Sequence, residues 1–128
     1  MPKILVVEDS KFQIAQFRTA FEEKGFEVLV AEDALQGGIA ARRQAPDAVL
    51  LDINMPGGSG IEVLKRLKNS EMTRKIPVIV VSGNEKPEAR NEALKLGAID
   101  FLAKPVDIEK LTKMMADLFS TSRHGISR

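Results

Sequence analysis

Short β-branched runs that alternate with longer helical stretches constrain the fold of this chain more than any other feature. Lys3 to Val7, Glu27 to Ala31, Ala48 to Leu51, Pro77 to Val81 and Ile99 to Ala103 read as strands. Three of these runs are nearly continuously apolar, as strands covered on both faces should be, whereas Glu27 to Ala31 is more mixed and belongs at a sheet edge. Between the runs lie helices. Ser10 caps one that reaches about Lys24 and is stopped by Gly25, and Asp33 caps another to about Gln44, before Pro46. Ser59 caps a third through Leu67, Pro87 starts a fourth that ends before Gly97, and Asp107 caps a fifth reaching Phe119. Five β/α units in succession imply a parallel sheet with helices on both faces and right-handed crossovers.

Composition narrows the class of function. With 128 residues, 44% of them hydrophobic and 29% charged, the chain has material for one core and one domain. A formal net charge of +1, with Lys and Arg scattered, disfavours nucleic acid as a direct partner. Cysteine is absent, which removes disulfides, thiolate nucleophiles and Cys-based zinc sites. No run approaches the roughly 18 apolar residues of a membrane span, so a cytoplasmic protein with no membrane partner is the expectation. Residues 120–128 are polar and are expected to be a frayed end or the start of a linker.

The ends of the apolar runs carry the chemistry. The first stops at Glu8-Asp9, the third at Asp52 followed by Ile53-Asn54, and the last at Lys104-Pro105. On neighbouring parallel strands these would bring three carboxylates and one ammonium to one edge of one sheet, where open α/β folds bind ligands. Packing alone does not gather like charges, and three carboxylates raise one another's pKa values unless a cation intervenes. A hard divalent ion with oxygen ligands, Mg²⁺ above all, suits Glu8, Asp9, Asp52 and a nearby backbone carbonyl. Zinc is disfavoured because the single histidine, His124, lies in the polar tail. Pro105 restricts the backbone after Lys104 and is a candidate for a cis bond, and Val80-Val81-Ser82-Gly83 delivers a small hydroxyl beside the acids.

Four segments in order, ILVVEDS, VLLDINMPGGSG, VIVVSG and FLAKP, resemble the receiver domain of bacterial two-component response regulators, of the chemotaxis single-domain type. The likeness runs from Lys3 to about Phe119, so residues 1–119 are expected to be the receiver domain. It implies a flavodoxin-like (βα)5 three-layer sandwich with strand order 2-1-3-4-5. It further implies that Asp52 is the phosphoacceptor, that Glu8, Asp9, Asp52 and the Asn54 carbonyl bind Mg²⁺ (or Mn²⁺ in its place), and that Ser82 and Lys104 contact the phosphoryl group. The phosphodonor would be a histidine kinase or a histidine phosphotransfer protein, and the chain would catalyse only its own phosphorylation and dephosphorylation.

The same resemblance pairs Ser82 with an aromatic switch at Phe101 and puts the output surface on the fourth helix, fifth strand and fifth helix, residues 88–119, facing a downstream target or output domain. A monomer or a phosphorylation-dependent dimer is expected. Asn54 and Asn84 occupy positions that tune phosphoryl lifetime in such domains, and as neutral amides they imply neither very fast nor very slow hydrolysis. Ile14, Phe17 and Phe21 read as the buried stripe of the first helix, and at about 100° per residue Phe12 points nearly opposite, an exposed candidate for docking the phosphodonor. Two rivals share the fold class. An aspartate-nucleophile phosphatase wants a second acid where Asn54 stands, and a flavin-binding module wants aromatic rings to stack, while the chain has neither Trp nor Tyr.

Overall fold

The alternation of side chains along each strand decides the layers. The computed structural model describes residues 1–55, 60–83 and 86–126, with side chains as far as Ser120. Strands β1 (Lys3–Val7), β2 (Glu27–Ala31), β3 (Ala48–Asp52), β4 (Val78–Ser82) and β5 (Asp100–Ala103) alternate with helices α1 (Lys11–Glu23), α2 (Ala34–Gln44), α3 (Gly60–Asn69), α4 (Pro87–Lys95) and α5 (Ile108–Ile126). All strand pairings are parallel, in the order β2-β1-β3-β4-β5, so the flavodoxin-like topology holds and β2 is an edge strand.

Successive residues on a strand face opposite ways. Leu5, Val7, Val49, Leu51, Val78 and Val80 therefore share one core with Val63 and Leu64 of α3, Ala93 of α4 and Phe101 of β5. Ile4, Val6, Leu50, Ile79 and Val81 share the other with Phe17 and Phe21 of α1 and Leu111 and Met115 of α5. Each large apolar side chain withdrawn from water in this way contributes about 1.5–3 kcal/mol. Continuous apolar runs were required because both faces are covered.

Helix ends follow their capping residues. Ser10 Oγ accepts from the Gln13 N–H at 3.3 Å, Asp33 Oδ1 from Gln36 at 2.8 Å and Asp107 Oδ1 from Lys110 at 3.1 Å. Gly25 and Gly97, which follow α1 and α4, hold φ of 89° and 112°, where a side chain would be strained. Ser59, expected to cap α3, lies outside the described residues.

Three expectations need correction. α5 does not end at Phe119 but continues to Ile126, because an established helix is prolonged at little cost and the added stretch holds no proline, its one glycine, Gly125, standing next to the last residue. β3 and β4 extend to Asp52 and Ser82, which still pair with Val81 and Ala103, so both polar residues leave from the ladder itself. Ile14 is only half-buried. Phe17 and Phe21 face the core, whereas Ile14 lines a groove of about 480 Å³ between α1 and the edge strand, with Arg18, Val30 and Glu32 on its walls.

One contact sets how closely α3 approaches the end of β3. The Gly60 N–H donates to the Ile53 carbonyl at 3.3 Å, and a Cβ at Gly60 would stand 2.3 Å from Ile53 Cα and 2.7 Å from the Asp52 carbonyl oxygen. These are backbone atoms that cannot rotate away. Gly60→Ala is therefore expected to cost about 3 kcal/mol, the upper end for overpacking. A urea midpoint equal to that of the wild type would show that α3 can slide without penalty.

Candidate functional site

The three strand ends build the site. β1 stops at Val7, but the Glu8 N–H still bonds the Ala31 carbonyl at 3.0 Å, so the chain leaves the sheet only at Asp9. The Ser10 N–H then donates to Glu8 Oε2 at 3.1 Å, and Ser10 rather than Asp9 caps α1. Carboxylate oxygens of Glu8, Asp9 and Asp52 all lie within 4.8 Å of one another. Glu8 and Asp52 are each 1% exposed, so their oxygens rely on hydrogen-bond partners within the protein.

Lys104 supplies a neighbour. From the end of β5, where the Lys104–Pro105 bond is cis, its Nζ donates to Asp52 Oδ2 at 2.9 Å and to Glu8 Oε1 at 3.1 Å. Its backbone N–H bonds the Ser82 carbonyl at 2.8 Å, which fixes where the side chain starts. Burial would lower the Lys104 pKa, but the hydrogen bonds and charges of Asp52 and Glu8 outweigh it and hold the ammonium above its usual range. Burial, together with the Asp52 charge, pushes the Glu8 carboxyl up, and the Ser10 N–H and Lys104 offset this only partly.

The Glu8 shift has a sign that can be measured. A carboxyl that holds its proton more tightly folded than unfolded loses stability as pH rises from the ordinary glutamate value through the raised folded one. Glu8→Gln removes it. In chelator at pH 7 that variant is expected to melt a few degrees above the wild type, with the gap closing as the solution is acidified through that window. A variant that melts lower at neutral pH would show that the ionised carboxylate is a net stabiliser.

Asp52 and Ser82 are joined through Asn54. The Asn54 N–H donates to Asp52 Oδ1 at 2.9 Å, and its side-chain Nδ2 donates to Ser82 Oγ at 2.7 Å. Ser82 is fully buried and follows the parity of Val78 and Val80, the face on which Phe101 packs at 5% exposure. Phe101 lies opposite Val80 in the ladder, and its carbonyl accepts from Arg90 Nη1 of α4 at 3.0 Å. Phe12, in the first turn of α1, is 74% exposed. Asn84 lies outside the described residues.

The geometry thus brings together Glu8, Asp9, Asp52 and Lys104, with Asn54 and Ser82 beside them and Phe101 beneath, and leaves Phe12 on the surface. The Asn54 side-chain bond, the Arg90 bond and the Gly60 contact went unseen in the sequence. Only Gly60 had a signal, as a glycine at a helix start just after an acid-bearing strand. As a cation site the cluster is chemically suited to Mg²⁺ or Mn²⁺: three hard oxygen donors carry more negative charge than one ammonium offsets, and no sulfur or imidazole stands among them.

Residues 4–116 match the profile of the response regulator receiver domain. The chain is 38% identical over 113 residues to protein PilH of Pseudomonas aeruginosa, covering 88% of this chain and 93% of PilH. It is 38% identical over 109 residues to the phosphate regulon transcriptional regulatory protein PhoB of Escherichia coli, covering 85% of this chain but only 48% of PhoB. Among solved structures, the receiver domain of the Francisella response regulator 1452 superposes with a TM-score of 0.87 at 32% identity, over 95% of this chain and 99% of that one. A CheY-like receiver domain from Methanospirillum hungatei superposes with a TM-score of 0.89 over 98% of each chain, and at 23% identity it speaks for the fold alone. Among the described residues no helix is long and apolar enough to cross a membrane.

Proposed function

This chain belongs to the response regulator receiver family of two-component signalling, and from that premise we propose that it is a switch that accepts a phosphoryl group on Asp52. The observation that carries the reading is the sharing of Lys104 between two buried carboxylates, Glu8 and Asp52, at adjoining strand ends. A carboxylate held in that way is a nucleophile with its charge-stabilising partner already in position.

In the proposed reaction an Asp52 oxygen attacks the phosphorus of a phosphohistidine presented by a histidine kinase or phosphotransfer protein. The P–O bond forms as the P–N bond breaks, and the electron pair leaves with the imidazole nitrogen, which takes up a proton. Glu8, Asp9, Asp52 and the Asn54 carbonyl would hold Mg²⁺, which when bound neutralises charge developing on the phosphoryl oxygens. Lys104 does the same from the β5 side and Ser82 donates its hydroxyl. Attack of water on the same phosphorus returns the carboxylate and resets the switch, at a rate tuned by Asn54 and Asn84.

Readout in this proposal passes from Ser82 to Phe101, whose ring is already buried on the face that Ser82 shares, and so to the face formed by α4, β5 and α5 over residues 88–119. A downstream protein or an output domain would bind there, in the cytoplasm, with the chain as a monomer or as a dimer formed on phosphorylation. PhoB is about twice the length that this chain spans. Incubation with acetyl phosphate, with and without Mg²⁺, followed by intact mass tests the core of the reading. One metal-dependent phosphoryl adduct is expected, and a chain that stays unmodified under both conditions would overturn it.

Phe12 is proposed as an anchor for the phosphodonor, because a large ring left in water in the first turn of α1, the helix that follows Glu8 and Asp9 in the chain, resembles the centre of a docking patch. Phe12→Ala should slow transfer from a phosphorylated donor by about tenfold while labelling by acetyl phosphate stays unchanged. Equal loss with both donors would place the defect in the site rather than in docking.

A further inference from the structure

We infer that the Asn54 side chain is a positioning residue that latches the Ser82 hydroxyl in the resting protein, so that switching exchanges one hydrogen bond of Ser82 for another. The inference rests on Asp52 being the phosphoacceptor. Asn54 is tied at both ends: its backbone N–H grips Asp52 Oδ1 at 2.9 Å while its Nδ2 grips Ser82 Oγ at 2.7 Å. One residue therefore spans the group that changes on phosphorylation and the group that reports the change.

The asymmetry of burial gives the bond a direction. Ser82 is fully buried, so its oxygen depends on partners within the protein. Asn54 is exposed, so its amide is rehydrated at little cost once released. Loss of the bond is thus paid mainly in the resting state. In this inference the hydroxyl, which at rest accepts from Asn54 Nδ2, donates to a phosphoryl oxygen in the phosphorylated state, and that move carries its oxygen out of reach of Nδ2. An interaction present in one state and absent in the other biases the equilibrium by its full net strength, here toward rest. Phosphorylation also acts on the backbone end of the same residue, since the Asp52 oxygen held by Asn54 belongs to the carboxylate that is modified.

The test is a pair of double-mutant cycles on the full chain. In urea denaturation with chelator, Asn54→Ala and Ser82→Ala should show a coupling of about 2- to 10-fold in the folding equilibrium constant, the range of a neutral hydrogen bond. In calorimetric titration with beryllium fluoride and Mg²⁺, Asn54→Ala should tighten binding by a similar factor. The gain should persist in a Ser82→Thr background, which keeps the hydroxyl, and vanish in a Ser82→Ala background. A residue with a merely structural role would weaken binding or leave it alone. Absence of coupling in chelator, or equal tightening in the Ser82→Ala background, would overturn the latch. Coupling in chelator with no binding of beryllium fluoride by the wild type would instead remove the phosphoacceptor reading, and the exchange with it, while leaving the Asn54–Ser82 bond established.

Discussion

Asp52→Asn is expected to abolish the Mg²⁺-dependent phosphoryl adduct altogether while the fold persists. The amide has nearly the carboxylate's shape, but its single oxygen can keep only one of the two donors that Asp52 engages at 2.9 Å each, the Asn54 N–H on Oδ1 or Lys104 Nζ on Oδ2. It lacks the negative charge that makes the oxygen a nucleophile and that helps to hold a divalent ion. Removing one charge from a cluster of three relieves repulsion and offsets the lost hydrogen bond, so this variant should melt close to the wild type in chelator and gain less from added Mg²⁺. Intact mass after acetyl phosphate treatment reads the first effect, and melting with and without Mg²⁺ reads the second. Undiminished labelling would move the acceptor to another residue, with Asp9 the first to examine.

Lys104→Met should destabilise the metal-free protein by about 3 kcal/mol, and Mg²⁺ should restore much of that loss. The ammonium is hydrogen-bonded to two carboxylates whose side chains are almost wholly withdrawn from water, so deleting it strands buried charge. Breaking a buried pair costs about 3–5 kcal/mol, and the lower value applies because the Lys104 side chain is 19% exposed and water can reach the gap. A divalent cation among the same oxygens would supply the missing counter-charge, so the deficit should narrow in millimolar Mg²⁺, beyond the gain shown by the wild type. pH adds a signed check. Because the folded Lys104 holds its proton more tightly than the unfolded chain, its contribution is complete below the ordinary lysine range and is lost as pH rises through the raised folded value. The gap between wild type and variant should therefore hold at neutral pH and close only in strong alkali. Equal urea midpoints in chelator, or a deficit indifferent to Mg²⁺, would show that Lys104 does not neutralise the acids.

The parts of the site that sequence reading reached were those carried by continuous chain. Four apolar residues running into Asp52, or four into Glu8-Asp9, place a carboxylate at a strand end whatever the rest of the molecule does. Helix limits with a capping residue or a left-handed glycine were likewise local. Ser10, Asp33, Gly25 and Gly97 act within a turn or two of themselves. The boundary that misled was α5, where a polar composition was read as an end. A helix already nucleated adds further residues at little cost.

Ile14 failed for a different reason. Its spacing from Phe17 and Phe21 is correct for one helical stripe, yet the sheet beneath α1 is finite. β2 is its edge, and a residue overhanging that edge lines an open groove instead of a core. Burial depends on what lies opposite, which periodicity along one helix does not contain.

Local sequence thus decided the elements, their order and which residues end each strand, because period-2 and 3.6-residue patterning and capping operate over a few neighbouring positions. Tertiary structure alone decided that Lys104, 96 residues from Glu8 and 52 from Asp52, bonds both. It alone seated Gly60 against the β3 backbone and turned the Asn54 amide toward Ser82. Those contacts depend on the sheet order and on the parallel pairing that brings the carboxyl ends of separate strands to one edge. No local rule encodes that distance, since each partner would fit its own surroundings equally well without the other.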